Sequence, residues 1–347
     1  MRPTDIPVLR RPGTAAGRPI RPDLIARTVA MASQITVRVP DSFDDPTGGV
    51  QQRGEVRRAL DDALSVFHEV DRTCTRFQPD SDLMRANARP YEWVAVEELC
   101  FDALHAAYQA YLATGGRFDP RILADLVRLG YSRSFALGAE ERTASDVALR
   151  REPLSPWRPE FRRPDRSVRL SQAAGQSFAG VDLGGIGKGL SVRWASQRLL
   201  AAGVKDHLVD AGGDCYCSGR PSDGDHWRVG IEDPRGGADP VAVLHVSDEA
   251  VTTSSVRLRH WRAGGRDVHH IVDPATGQPG GSGLHSVTVA HPDPATAEIW
   301  GKVLFLSGAN GIEAEAERCD LPALWVEASG AVGFSSRLGD RLLWRRS

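Results

Sequence analysis

The 347-residue chain lacks several features that mark particular classes of protein. No apolar run reaches the roughly 18 residues that a membrane-spanning helix requires, so we expect no membrane insertion. The formal net charge of −2 lacks the basic excess typical of proteins that bind nucleic acid, and we expect no nucleic acid partner. No C-x-x-C pair occurs among the five cysteines, which we expect to be reduced thiols: Cys74, Cys100, Cys215, Cys217 and Cys319. With 41% hydrophobic residues, the chain can form a sizeable globular core.

The N-terminal segment lacks hydrophobic periodicity. Residues 1–29 are rich in arginine and proline, and Arg10-Arg11 is not followed by the apolar region that an export signal needs. We therefore predict a loosely ordered tail over residues 1–29 and a cytoplasmic location.

Lysine is scarce in this sequence. Of the 43 basic residues only three are lysines, namely Lys188, Lys205 and Lys302. An ammonium is a compact point charge on a flexible stem, and it serves chemistry that a planar guanidinium does not. Each lysine is therefore a candidate functional residue.

Periodicity and turn residues predict an α+β fold. Apolar residues at helical spacing predict helices over 55–71, 96–112, 121–128, 187–202 and 294–306. Short alternating or apolar runs predict strands over 34–39, 207–210, 227–231, 242–246, 268–272, 286–290, 324–327 and 332–335. The helices and strands cluster instead of alternating, which favours α+β over a regular βαβ arrangement. Residues 138–176 are polar and contain proline, so we predict a long excursion on the surface.

The glycine-rich segment from Asp182 to Gly189 is the most informative motif. Glycines before a helix let backbone amides approach a phosphate, and the helix N-terminus adds a partial positive charge. Lys188 in the first turn adds a mobile cation. The spacing matches neither a P-loop nor the dinucleotide-binding fingerprint. A phosphate site and a tight strand-to-helix turn both remain possible interpretations.

Together with other motifs, this segment resembles the ApbE family, the FAD:protein FMN transferases. The matching segments, in chain order, are Met31-Ala32-Ser33, Thr75-Arg76-Phe77-x-Pro79-x-Ser81-x-Leu83-x-x-x-Asn87, Gly116-Arg117-Phe118-Asp119-Pro120, the turn from Asp182 to Gly189, Ala211-Gly212-Gly213-Asp214, Thr253-Ser254, His270-Ile271-Val272-Asp273-Pro274-x-Thr276-Gly277 and Ala297-Glu298. The resemblance implies one flavin transferase domain over residues 30–345. It also implies mixed or antiparallel sheets flanked by helices, with the FAD pocket between subdomains.

The resemblance implies an enzyme that uses FAD as substrate. Such an enzyme cleaves the FAD pyrophosphate, attaches FMN through its phosphate to a Thr or Ser of a partner protein, and releases AMP. Position by position, the implied flavin-nucleotide contacts are Met31, Asn87, Phe118, Asp119, Asp182, Lys188 and Ile271. A flavin-binding protein of the same fold with weak or no turnover, and an FAD pyrophosphatase, are the alternatives.

The resemblance further implies a Mg²⁺ site, and here the sequence departs from the family. The family ligands fall on the carbonyl of Gly185, on Glu298, and on an oxygen ligand one helical turn later, where this chain has Lys302. A protonated lysine does not ligate Mg²⁺. One interpretation is an i,i+4 pair on an exposed helix face, which contributes about 0.3–0.5 kcal/mol. The other is that the ammonium lies where relatives hold the metal, which makes Lys302 a catalytic candidate beside Asp182 and Lys188.

Overall fold

The computed structural model describes residues 23–40, 49–133, 154–172, 178–263 and 265–346. Its helices are α1 Gly49–Cys74, α2 Asp82–Ala88, α3 Glu98–Ala113, α4 Leu123–Arg128, α5 Gly187–Ala201, α6 Pro294–Leu306 and α7 Gly308–Arg318, with a short 3-10 helix at Ser336–Arg341. Its strands are β1 Leu24–Ala30, β2 Ser33–Val39, β3 Val94–Ala95, β4 Glu160–Arg162, β5 Ser167–Arg169, β6 His207–Ala211, β7 Asp214–Ser218, β8 Trp227–Ile231, β9 Ala242–Val246, β10 Glu249–Ser255, β11 His260–Ala263, β12 Arg266–His269, β13 Val272–Asp273, β14 Gln278–Pro279, β15 Leu284–His291, β16 Ala323–Glu327, β17 Val332–Phe334 and β18 Leu342–Arg345.

The main sheet has eight strands in the order β1-β2-β6-β7-β10-β15-β16-β17. Every strand pair in the described part of the chain is antiparallel. Ile35 and Val37 of β2 pack with α1 and α5 on one face, whereas Cys215 and Cys217 of β7 pack on the other face against the small sheet β18-β9-β8. The α+β prediction is confirmed, with antiparallel sheets flanked by helices.

The predicted helices and strands agree with the structure to within a few residues at most positions. The predicted helix over 294–306 has the bounds of α6, because Asp293 caps its N-terminus by accepting from Thr296 N at 2.8 Å and Pro294 occupies the first turn. None of the helices in the described ranges is long and apolar enough to cross a membrane.

Two expectations about the chain's organisation need correction. Leu24–Ala30 lies within the predicted tail, yet it forms β1 and pairs with β2 along its whole length. Its exposed side chains alternate with half-buried ones, and apolar residues occur in both sets. The sequence of β1 therefore lacks the alternation of apolar and polar residues that predicts a strand. Within the predicted excursion, Trp157 is 3% exposed and β4 pairs with β5, so residues 154–172 are packed structure. Residues 138–153 and 173–176 of that excursion lie outside the described residues.

His207 at the start of β6 is completely buried and neutral. Its Nδ1 lies 2.9 Å from the carbonyl oxygen of Val204 and its Nε2 lies 2.8 Å from Ser196 Oγ. The carbonyl can only accept, so Nδ1 donates and Nε2 accepts from the hydroxyl. Burial lowers the pKa of His207 from 6.5 to about 4.

We expect this histidine to make the fold sensitive to acid. Because its pKa is lower in the folded state, the unfolded chain takes up the proton first, and stability falls as the pH drops from 6.5 to about 4. The contribution of His207 is about 3 kcal/mol. Urea denaturation at successive pH values will measure it against His207→Gln, whose amide does not titrate. A constant difference between the two proteins across this range would contradict the prediction.

Candidate functional site

One cleft collects residues that are far apart in the sequence. It lies where the β1–β2 turn, the end of α1, the loop after α3, the glycine turn before α5, the segment after β12 and the second half of α6 meet. Of the candidate site residues, the cleft is lined by Met31, Phe118, Asp119, Asp182, Gly185, Lys188, Ile271 and Lys302. Asn87 and Glu298 do not line it.

Met31 enters the cleft from a strained hairpin turn. Met31 and Ala32 have φ angles of 52° and 53°, as the two central residues of a type I′ turn require. Non-glycine residues in this region are uncommon, and they cluster at functional sites. The Met31 sulfur lies 3.5 Å from Ser191 Oγ, whose hydroxyl donates to the Gly187 carbonyl at 2.8 Å, so the Met31 side chain packs over the first turns of α5.

The glycines of the turn permit close packing of α5. A Cβ on Gly189 would lie 2.6 Å from the carbonyl oxygen of Pro294, so no other residue fits where α5 meets α6. The amides of Gly184 and Gly187 are already bonded, to Asp182 Oδ1 and to the carbonyl of Leu183. These amides are therefore not free to hold a phosphate, and the turn serves chiefly to position Asp182 and Lys188.

Asp182 is held by Arg76, a buried arginine that was not among the predicted site residues. Its Oδ2 lies 2.9 Å from Arg76 Nε, and both side chains are less than a tenth exposed. Arg76 also donates to the carbonyl of Tyr131 at 2.6 Å and lies over the rings of Phe77 and Tyr131. Its Nη2 is buried with no hydrogen-bond partner in the part of the chain that the structure describes. Asp182 thus supports the wall of the cleft as well as facing it.

Asp119 and Asn87 are fixed by partners of their own. Asp119 is buried and accepts three hydrogen bonds from Arg121, two from the guanidinium and one from the backbone amide. The amide group of Asn87 donates to and accepts from the backbone of Val181, both at 2.8 Å. Asn87 therefore positions the start of the glycine turn from behind.

Lys188 lines the cleft and is held by a buried carboxylate. Its ammonium forms an ion pair with Asp214, a buried carboxylate that also accepts from Thr253 N at 2.9 Å. Burial lowers the pKa of Lys188 to about 8, and Lys302 and Arg259 lower it while Glu298 raises it. Asp214, at the end of the Ala211-Gly212-Gly213-Asp214 segment, thus holds the lysine in place and is itself held by the Thr253 amide of β10.

Glu298 and Lys302 form a pair at the inner edge of the cleft. Lys302 Nζ donates to Glu298 Oε1 at 3.0 Å, and Oε2 accepts from Gly189 N at 2.8 Å. The Glu298 side chain is 2% exposed and that of Lys302 19%. Burial raises the pKa of Glu298, but Lys302 and Lys188 outweigh it and lower that pKa below its usual value. The interpretation as a pair on an exposed helix face is wrong, because this face of α6 is buried.

Comparison with known proteins identifies the family. The sequence model of the ApbE family matches residues 31–325. The chain belongs to the ApbE family. The FAD:protein FMN transferase of Treponema pallidum is 28% identical over 275 residues, which cover 73% of this chain and 72% of that protein. The FAD:protein FMN transferase of Vibrio cholerae is 31% identical over 269 residues, which cover 75% and 77%. The crystal structure of the ApbE protein from Thermotoga maritima is 24% identical, with a TM-score of 0.75 over 94% of this chain and 100% of that one.

The residues at the position where the resemblance implies a metal ion do not fit a divalent cation. Both oxygens of Glu298 already accept hydrogen bonds, from Lys302 and from Gly189. The Lys302 stem passes beside Gly185, since a Cβ there would lie 3.5 Å from its Cδ and Cε, and the side chain ends in an ammonium where a metal ion would need a third oxygen. A hard cation would have to displace one ammonium while facing a second at Lys188.

Three residues of this site were not among the predicted site residues: Arg76, Asp214 and Arg259. Arg76 and Asp214 lie within motifs that resemble the family, but their partners are distant in the sequence. Arg259 is half-buried, lines the cleft beside Lys188, and has no carboxylate partner within the described ranges. Arginine is abundant in this protein, so a single arginine does not stand out in the sequence as the rare lysines do.

Proposed function

We propose that this chain is an FAD:protein FMN transferase that attaches FMN to a Thr or Ser hydroxyl of a partner protein. The acceptor oxygen forms a bond to the FMN phosphorus, the bond between that phosphorus and the bridging oxygen breaks, and AMP leaves with the electron pair. The hydroxyl proton passes to solvent. The observation that carries the proposal is that Met31, Asp182, Lys188 and Ile271, which belong to three separate motifs, line one cleft.

The electrostatics of the cleft support this chemistry. As the bond to AMP breaks, negative charge grows on the leaving phosphate oxygen, and fixed cations beside that oxygen stabilise the transition state. Lys188, Arg259 and Lys302 all line the cleft, and each is a cation near neutral pH. Their positions are set before substrate binds, by Asp214 for Lys188 and by Glu298 for Lys302.

Chromatography of AMP and FMN will test the proposal. We expect purified protein incubated with FAD and a panel of Ser- and Thr-containing proteins to release AMP in equal amount to the FMN that becomes covalently attached. AMP with an equal amount of free FMN, in the absence of any acceptor protein, identifies an FAD pyrophosphatase instead. Stable FAD binding with no AMP under either condition identifies a flavin-binding protein without turnover.

We expect FAD to bind at tens of micromolar or below, which corresponds to a binding free energy of about −6 kcal/mol or stronger. ADP should compete, because it contains the diphosphate that faces Lys188 and Lys302. Calorimetric titration with FAD, alone and in the presence of ADP, will measure both. No heat at these concentrations counts against the assignment of the cleft. The cytoplasmic location expected from the sequence stays a prediction.

A further inference from the structure

The environment of Lys302 differs from that of an ordinary surface lysine. Its ammonium donates to Glu298 Oε1 at 3.0 Å and lies 3.5 Å from the backbone carbonyl of the same residue. Glu298 is in turn held by the Gly189 amide at 2.8 Å. The carboxylate therefore cannot turn away without breaking a buried hydrogen bond, and it keeps the ammonium in one place.

The stem of Lys302 packs against the glycine turn. A Cβ on Gly185 would lie 3.5 Å from Cδ and Cε of Lys302 and 3.1 Å from the ring of Phe118. The methylene groups therefore fill the space beside Gly185, and the ammonium emerges at the cleft surface next to the turn that carries Lys188.

The local charge balance also favours a substrate anion over a free metal ion. The charged groups that act on Lys188 are the carboxylates Glu298 and Asp210 and the cations Lys302 and Arg259. Asp214 pairs with Lys188, and Glu298 pairs with Lys302. Of these groups, the three cations Lys188, Arg259 and Lys302 line the cleft, whereas the three carboxylates do not, so the cations are the charges that a nucleotide diphosphate in the cleft would contact.

We propose that the Lys302 ammonium, held by Glu298, takes the place of the divalent cation beside the FAD diphosphate, so that this enzyme cleaves FAD without a metal ion. The proposal rests on the proposed function for the cleavage step. In that step the bond between the FMN phosphorus and the bridging oxygen breaks, and the electron pair stays on AMP. Lys302 keeps its proton and donates a hydrogen bond to the diphosphate, while the acceptor hydroxyl loses its proton to solvent.

ADP binding tests the proposal independently of turnover. With EDTA present, we expect wild-type protein to bind ADP as tightly as with Mg²⁺, and Lys302→Met to bind it at least about tenfold more weakly, a loss of about 1.4 kcal/mol. Lys205→Met is the matched control, because Lys205 is exposed and lies outside the cleft. We expect its ADP affinity to equal that of wild type. A requirement of wild-type protein for Mg²⁺, or equal affinities of Lys302→Met and Lys205→Met, would overturn the proposal.

A second variant addresses folding, since Lys302→Met leaves the Glu298 carboxylate buried without its partner. Lys302→Met combined with Glu298→Gln removes both charges, and the Gln oxygen still accepts from the Gly189 amide. If this double variant melts close to wild type, its ADP affinity replaces that of the single variant in the same comparison. If the double variant loses as much ADP affinity as expected of Lys302→Met, the result supports the role of the ammonium. If the double variant binds ADP as tightly as wild type, the result overturns that role.

The AMP assay separates this proposal from the proposed function. We expect wild-type AMP release to be equal in EDTA and in Mg²⁺, and any residual release by Lys302→Thr, which restores an oxygen ligand, to become Mg²⁺-dependent. Wild-type release that stops in EDTA overturns the metal-free proposal and leaves the transferase standing. Absence of AMP under every condition overturns the transferase, and the ADP titrations still decide whether Lys302 binds the diphosphate.

Discussion

Asp182→Ala is expected to lose stability and FAD affinity together. The sequence alone predicts a mainly functional effect, since Asp182 lies at a glycine turn with few apolar neighbours. The structure pairs it with Arg76 at 2.9 Å, and removal of the carboxylate leaves a buried guanidinium without its counter-charge. Such a change costs about 3–5 kcal/mol of unfolding free energy. The Gly184 amide also loses its acceptor, so we expect the turn to loosen and FAD to bind about tenfold or more weakly.

Urea denaturation and FAD calorimetry on matched variants separate the two effects. Phe67→Ala removes a fully buried ring of α1 that does not line the cleft, so we expect a loss of about 3–5 kcal/mol with FAD affinity changed less than about twofold. Arg76→Met combined with Asp182→Asn removes both charges and keeps an acceptor for Gly184. We expect this pair to cost less than Asp182→Ala alone. The prediction is contradicted if Asp182→Ala is as stable as wild type, or if it binds FAD as tightly as Phe67→Ala does.

Local patterns predicted the helices well because each buries one face. The apolar residues at helical spacing in α1, including Phe67 and Val70, are buried together in the core. Strand β1 was missed because an edge strand with exposed Ile25 and Val29 carries little periodic signal. Strand β10 was also missed, because its second half, Thr252 to Ser255, is hydroxyl-rich and lacks an apolar alternation, although residues 249–251 pair with β7 and residues 250–255 pair with β15.

Site residues could be predicted where one local motif contains them. Their contacts could not be predicted where the two partners come from different helices or strands. Lys188 and Lys302 stood out because lysine is rare in this chain. No local pattern indicated that Lys188 pairs with Asp214 of β7, since that contact depends on how α5 crosses the sheet. The i,i+4 spacing of Glu298 and Lys302 predicted their contact but not their burial, which depends on Gly189 and the approach of α5.

Lys188→Met is expected to have the largest effect on the reaction. The Lys188 ammonium lies beside the proposed position of the diphosphate, and Asp214 and the Thr253 amide hold it there. Loss of one preorganised charge that stabilises the transition state typically lowers the rate about 10²–10³-fold. We expect a decrease of this size in AMP release at saturating FAD, measured by chromatography with the acceptor panel. Lys205→Met should retain the wild-type rate.

Loss of the lysine also leaves Asp214 buried and charged, with the Thr253 amide as the one remaining donor to its side chain among the described residues, so the single variant is expected to be less stable than wild type. Asp214→Asn in the same chain removes that charge and keeps an oxygen that accepts from Thr253. We therefore expect the double variant to recover most of the melting temperature and none of the rate, because its cleft still lacks the ammonium. If the rate recovers together with the melting temperature, Lys188 acts only through the stability of the turn, and the charge at the leaving AMP must come from Lys302 or Arg259.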